Sequence, residues 1–205
     1  ARLLKEGKMK NIITTCCPSA NELVELHHPA LAPYLAPVLS PMVAHGKMLH
    51  EELGDNMRVV FIGPCIAKKK EAADERHPGF INAVLNFNDI NQWLEEKDIV
   101  ISECEDTPFK QLDPKVNRLY PITNGVVSSI LATQKKADAY HKFYVHGTKN
   151  CMDLCESLVK GEIKNCFIEM NMCSGGCVKG PTVEDDAFIS RFKIKLDMEE
   201  SIPQE

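Results

Sequence analysis

Residues 168–181 read IEMNMCSGGCVKGP, and the rest of the chain is best understood from this stretch. It sets Cys173 and Cys177 on either side of a Ser-Gly-Gly turn. Thiolates are the soft ligands that iron–sulfur clusters take. Backbone that wraps closely around an inorganic core favours residues without a Cβ, and Gly175 and Gly176 supply them. A Cys-x-x-x-Cys pair gives two ligands where a cubane wants four. Two further cysteines must come from elsewhere, each on a tight turn of its own.

Two segments upstream offer them. Residues 14–19 read TTCCPS, with Cys16 and Cys17 adjacent and stopped by Pro18. Residues 63–71 read GPCIAKKKE, with Cys65 behind a Gly-Pro turn and ahead of a basic run. Each cysteine follows a β-branched, apolar run (11–15 and 58–62) of the kind that forms a buried strand. Open α/β sheets place their sites at the carboxyl ends of parallel strands. Strand–Cys, strand–Cys and strand–Cys-x-x-x-Cys therefore point four sulfurs at one crevice.

Strand and helix patterns alternate along the remainder. Helices are expected over 1–10, from a Ser19 or Asn21 cap to residue 26, and over 42–53, 67–74, 88–97, 126–137 and 149–160, the last ending at Gly161. Strands are expected over 57–62, 78–84, 118–122, 142–146 and 165–169, with 99–111 acidic and irregular. The fold class is α/β: two lobes with mainly parallel sheets flanked by helices, and the metal crevice between them. Residues 1–181 carry the motifs, and 182–205 form a charged helix or tail. The strand close behind Ala1 suggests part of a longer protein, with the domain shortened at its N-terminus.

Composition narrows the function classes. The chain has 205 residues, 44% hydrophobic and 26% charged, with a net charge of −5 and no basic patch, which argues against nucleic acid as a partner. No apolar run approaches the ~20 residues of a membrane helix, and no signal peptide is visible. Nine cysteines, an odd number clustered beside Gly and Pro, suit metal ligation in a reducing, cytoplasmic setting better than a disulfide framework.

Taken in order, TTCCPS, GPCIAKKKE and EMNMCSGGCVKGP resemble the three signature segments of the iron-only (FeFe) hydrogenase catalytic domain. The resemblance runs from Asn11 to Pro181 and includes Leu39-Ser40-Pro41 and the Tyr120…Asn124-Gly125-Val126 turn. It implies the H-cluster, a four-iron cubane joined through one cysteine to a diiron subsite with carbonyl, cyanide and dithiolate ligands. The implied cubane ligands are Cys17, Cys65, Cys173 and Cys177, with Cys177 bridging to the diiron unit. Cys16 matches the proton-relay cysteine, Lys68 the lysine paired with one cyanide, and Ser40 the serine near the other. Gly63, Pro64, Tyr120, Glu169 and Asn171 fall at positions around the cofactor. H2 and protons would be the substrates, with a redox partner or accessory iron–sulfur domains.

The chain also departs from that pattern. Turnover hydrogenases of the family carry an aromatic where Ala20 stands and methionine where Gly63 and Asn171 stand. They carry glutamine at Met42, phenylalanine at Tyr120, glycine at Asn124 and a glycine run at Lys179-Gly180-Pro181. These departures resemble the sensory branch, in which the domain sits beside a PAS or signalling-output domain. The alternative is a hydrogenase-like iron–sulfur protein that binds only a cubane, for cluster assembly or electron transfer. Lys68 also fits a solvated basic run, Ser40 a helix cap, and the four cysteines buried packing. Cys151 and Cys155, four apart on one helix face, are read as core or interface, Cys104 and Cys166 as single thiols, and the seven histidines as structural.

Overall fold

A computed structural model of the chain describes residues 2–77, 79–107, 115–133 and 140–200. Two parallel sheets carry the fold. The first is built from β1 (Ile12–Ile13), β4 (His141–His146) and β5 (Cys166–Asn171) in the order β1-β5-β4. The second pairs β2 (Val60–Ile62) with β3 (Ala83–Leu85). β5 is central, and all six of its residues are buried. Its first three residues are apolar, as in strands covered on both faces, and the buried Glu169 and Asn171 that follow are polar.

The two faces of the first sheet hold separate cores. On one, Ile13, Ile168 and Met170 pack with Ala20 of α2 (Pro18–Glu22) and with Cys151, Leu154, Cys155 and Leu158 of α7 (Thr148–Lys160). On the other, Ile12 and Phe167 meet Leu4 of α1 (Arg2–Glu6) and Val127 of α6 (Gly125–Thr133). Asn11, fully buried, ties the strand starts together: its amide donates to the Ile163 carbonyl at 3.1 Å and accepts the Cys166 N–H at 3.0 Å. The second sheet packs Val59, Ile81 and Val84 against Met42 and Val43 of α3 (Pro41–Leu53). It is flanked by α4 (Ala67–Ala72) and α5 (Phe87–Glu96), the latter opened by an Asn86/Asp89 capping box.

Local departures from the sequence expectation have physical causes. Helix α2 begins from Cys17 at its N-cap, with Pro18 at its first turn; proline's fixed φ starts the helix before Ser19 or Asn21 could cap it. From residue 23 to residue 27 it widens into a π-helix. The stretch 118–122 is not extended: a 3-10 helix covers Lys115–Leu119 and turns follow, with Tyr120 N–H on the Asn117 carbonyl. The strand expected over 78–84 sits later, at Ala83–Leu85, because residues 80 and 81 turn in to pack on α3. The ends expected at 111 and 137 lie outside the described residues. A final helix, α8 (Ala187–Glu200), lays Ile194 and Met198 on Leu119, Ile122 and Val178.

Candidate metal centre

Each sheet ends in cysteines. Cys16 and Cys17 follow β1, Cys65 follows β2, and Cys173 and Cys177 follow β5. Three contacts tie the loops pairwise. Lys68 Nζ donates to the Cys16 carbonyl at 3.2 Å, joining the second motif to the first. Thr182 Oγ1 donates to the Pro64 carbonyl at 3.2 Å, joining the third to the second. The Cys17 sulfur accepts the backbone N–H of Met172, joining the first to the third.

The sulfurs feel one another. Burial first, and then the neighbouring Cys17, Cys16, Cys65 and Cys173, together push the Cys177 thiol up to about 12. Burial also raises Cys173, with Cys17 and Cys65 adding to it. Cys17 is raised chiefly by burial and by Cys65, against the pull of backbone N–H groups and Lys68. Desolvated thiolates that repel one another need a cationic core to coexist, and iron supplies one. Among the described residues no three His, Cys, Asp or Glu side chains close around a single metal ion. Cysteine sulfurs on three loops are the soft donors that a sulfur-bridged iron core takes.

The Cys173–Cys177 turn depends on glycine. Gly175 and Gly176 have φ of 95° and 90°, where side-chain-bearing residues are strained. A Cβ on Gly176 would also lie 2.7 Å from the Pro121 carbonyl oxygen.

Around this crevice the other site residues divide into four groups. Lys68 is buried and donates to Ser40 Oγ at 3.1 Å and Glu71 Oε2 at 2.6 Å as well as to Cys16. Ser40 caps α3, accepting the Val43 N–H at 3.4 Å, so its hydroxyl serves both the helix and the lysine. Cys16 and Tyr120 share a mostly apolar cavity of about 190 Å³. Burial pushes the Cys16 thiol up to about 12, Thr14 Oγ1 accepts from it at 3.7 Å, and Tyr120 is raised by burial and by Cys16. Ser40 lines a different, larger cleft between α2 and α4, together with Glu71.

Glu169 and Asn171 face away from solvent and toward each other. Glu169 Oε1 accepts from Asn171 Nδ2 at 2.9 Å, and Oε2 accepts the Val127 N–H at 3.0 Å. Further backbone N–H groups, of Asn124 and Val126, reach the carboxylate, while burial is the main cause of its raised pKa. Its contacts are those of an anion seated at the N-terminus of α6. Gly63 donates its N–H to the Leu85 carbonyl at 3.1 Å, extending the second sheet, and Pro64 receives Thr182.

Two partners had no role in the sequence reading. Glu71, three residues beyond Lys68 on α4, was legible as an i,i+3 pair. His146, whose Nδ1 accepts the Gly175 N–H at 3.2 Å, was not, since the contact spans 29 residues. Cys151, Cys155 and Cys166 lie in the core, and Cys104 is exposed.

Comparison with known proteins identifies the family and the fold. Residues 1–181 match the family described as iron only hydrogenase large subunit, C-terminal domain. The periplasmic [Fe] hydrogenase large subunit of Nitratidesulfovibrio vulgaris is 25% identical over 223 aligned positions, covering 87% of this chain and 53% of the relative. The cytosolic Fe-S cluster assembly factor NAR1 of Yarrowia lipolytica is 26% identical over 138 positions, covering 59% of this chain and 28% of that one. The chain thus spans about half or less of the length of these curated relatives. Among solved structures, the [FeFe]-hydrogenase HydA(deltaEFG) superposes with a TM-score of 0.71 at 17% identity, covering 99% of this chain and 68% of that one. An apo [FeFe]-hydrogenase HydA1 variant from Chlamydomonas reinhardtii gives 0.68 at 18% identity, covering 99% and 68%. At these identities the structural likeness speaks for the fold. No helix among the described residues is long and apolar enough to cross a membrane. The chain belongs to the iron-only hydrogenase large subunit, C-terminal domain family.

Proposed function

We propose that this chain binds an H-cluster, with the four-iron cubane on Cys17, Cys65, Cys173 and Cys177 and Cys177 shared with the diiron unit. The domain would oxidise H2 and reduce protons reversibly, within a cytoplasmic H2-sensing or redox-signalling protein. The pairwise ties among the three cysteine loops carry this reading, because one core must touch all of them. When bound, the cluster would supply the redox chemistry of heterolytic H2 cleavage. The chain's own part is to hold and move the proton. Cys16 keeps its proton on Sγ in a dry pocket, beside Thr14 and within the cavity that Tyr120 borders. Lys68 sets a positive charge against the Cys16 loop, and Ser40 orients it.

Gly63, Met42 and Asn171 replace the residues of turnover enzymes, which favours slow reporting over rapid catalysis. A redox partner or accessory iron–sulfur domain, and a PAS or other output domain in the full-length protein, belong to the same proposal.

One observation favours the cubane-only alternative. All three Lys68 N–H donors have protein acceptors, in Cys16, Ser40 and Glu71, leaving none set aside for a cyanide ligand. The assembly-factor relative fits that reading too. The first experiment is reconstitution with iron and sulfide, followed by iron quantification and electron paramagnetic resonance. About four iron atoms per chain are expected, and Cys65→Ser should lose the cluster signal; a Cys65→Ser protein with an unaltered cluster would refute the ligand set. Infrared bands from carbonyl and cyanide after maturation would select the H-cluster, and their absence the cubane alone.

A further inference from the structure

The turn between Cys173 and Cys177 is braced from outside. Within it, the Gly176 N–H reaches the Cys173 carbonyl at 3.1 Å and the Gly180 N–H the Cys177 carbonyl at 2.8 Å. The Gly175 N–H instead donates to His146 Nδ1 at 3.2 Å. His146 is the last residue of β4, in register with Asn171, the last of β5. Its own backbone is fixed, because Asn150 Nδ2 donates to its carbonyl at 2.9 Å and the next N–H, of Gly147, donates to Asn171 at 3.0 Å. The fit is close there: a Cβ on Gly147 would lie 2.9 Å from Ser174 Oγ. The end of β4 therefore presses on the cysteine turn through both a side chain and a backbone bend.

Two adjacent glycines with positive φ are the least self-restraining backbone a protein can offer, since each has many other conformations open to it. Left to itself, such a turn would have to be ordered when metal binds, which lowers affinity. We propose that His146 is a positioning residue for the iron–sulfur centre: its ring, by accepting the Gly175 N–H, holds the turn in the shape that presents Cys173 and Cys177 together. The accepting Nδ1 requires the proton on Nε2, so the neutral ring does this work. The metal-facing half of the inference rests on the iron–sulfur reading; the bracing half stands on the apo-protein.

Two substitutions of nearly equal size test it. His146→Leu removes the acceptor, while His146→Asn can return an oxygen close to the Nδ1 position. In the apo-protein, amide hydrogen exchange at Gly175 should accelerate about tenfold in His146→Leu, the scale of one lost hydrogen bond, and return toward wild type in His146→Asn. In protein reconstituted with iron and sulfide, chelator-driven loss of iron should be about tenfold faster in His146→Leu, the lower end of what lost outer-shell partners cost, and slow again in His146→Asn. Unchanged Gly175 exchange in His146→Leu would overturn the proposal. So would faster exchange with no change in iron loss, because the brace would then not position the ligands. A wild-type protein that takes up no iron would defeat the iron–sulfur reading, and Gly175 exchange would still decide whether the brace exists.

Discussion

Glu169 shows how a single residue joins the site to the fold. It is fully buried on β5, and its carboxylate accepts from Asn171 Nδ2 and from backbone N–H groups at the start of α6. Its place ahead of the third motif was legible in the sequence, but its partners were not. Apart from Asn171, two residues on, they come from residues 124–127, more than forty positions away, and no local pattern links the two. Glu169→Ala would strand those donors and open a cavity, at an expected cost of about 3 kcal/mol or more, because buried hydrogen bonds to charged groups are the strong ones. Glu169→Gln keeps one acceptor oxygen and should cost roughly 1–2 kcal/mol. Urea midpoints of the apo-protein measure both; equal midpoints for alanine and glutamine would show that the carboxylate does not anchor α6. Cys17 is a second case, since its sulfur takes the Met172 N–H while its carbonyl accepts from Ala20 and Asn21 to begin α2.

α4 illustrates what periodicity can and cannot reveal. Its Lys68-Lys69-Lys70 run looked as much like a solvated face as a site, and the three side chains in fact part ways. Lys68 turns inward to Glu71 at 2.6 Å, with both side chains only 10% exposed. Lys69 reaches Asp89 at 2.6 Å at the start of α5, and Lys70 reaches Glu22 at 2.5 Å on α2. The outer pairs are exposed, so solvent screens them and each contributes little. Removing Lys68 leaves Glu71 buried without its partner, an expected loss of roughly 3–5 kcal/mol. Denaturation of Lys68→Ala, Lys69→Ala and Lys70→Ala should therefore separate one large effect from two small ones, and three similar values would contradict the inward placement of Lys68. β5 was easier to read, because its start at Cys166-Phe167-Ile168 is apolar and leads straight into the cysteine turn. Residues 118–122 were harder, since a short apolar stretch ahead of Pro121 suits a turn as well as a strand.

Across the whole molecule, the parallel α/β plan and the meeting of the three motifs followed from strand–cysteine order, whereas the ties between loops are tertiary and invisible in one dimension. The buried thiols give the apo-protein a distinctive pH response. Unfolded thiols ionise near 9, while in the fold Cys16, Cys151 and Cys177 hold their protons to about 12 and Cys155 to about 11. The folded state binds these protons more tightly, so their contribution is whole below pH 9 and is lost as pH rises toward 12. The apo melting temperature should fall across that range, and a rise there would contradict the burial of these thiols. Iron would run the other way: a thiol that binds it must deprotonate, so uptake at Cys177, the one proposed ligand among these four, should improve as pH increases. Finally, Cys65 hangs from one sheet while Cys17, Cys173 and Cys177 hang from the other. A core bound to all four would rivet two otherwise separate halves. In the apo-protein their shared border is held partly by the exposed pairs Lys70–Glu22 and Arg76–Glu25, which dissolved salt weakens. Ionic strength should thus be a handle on how firmly that border is held in the apo-protein.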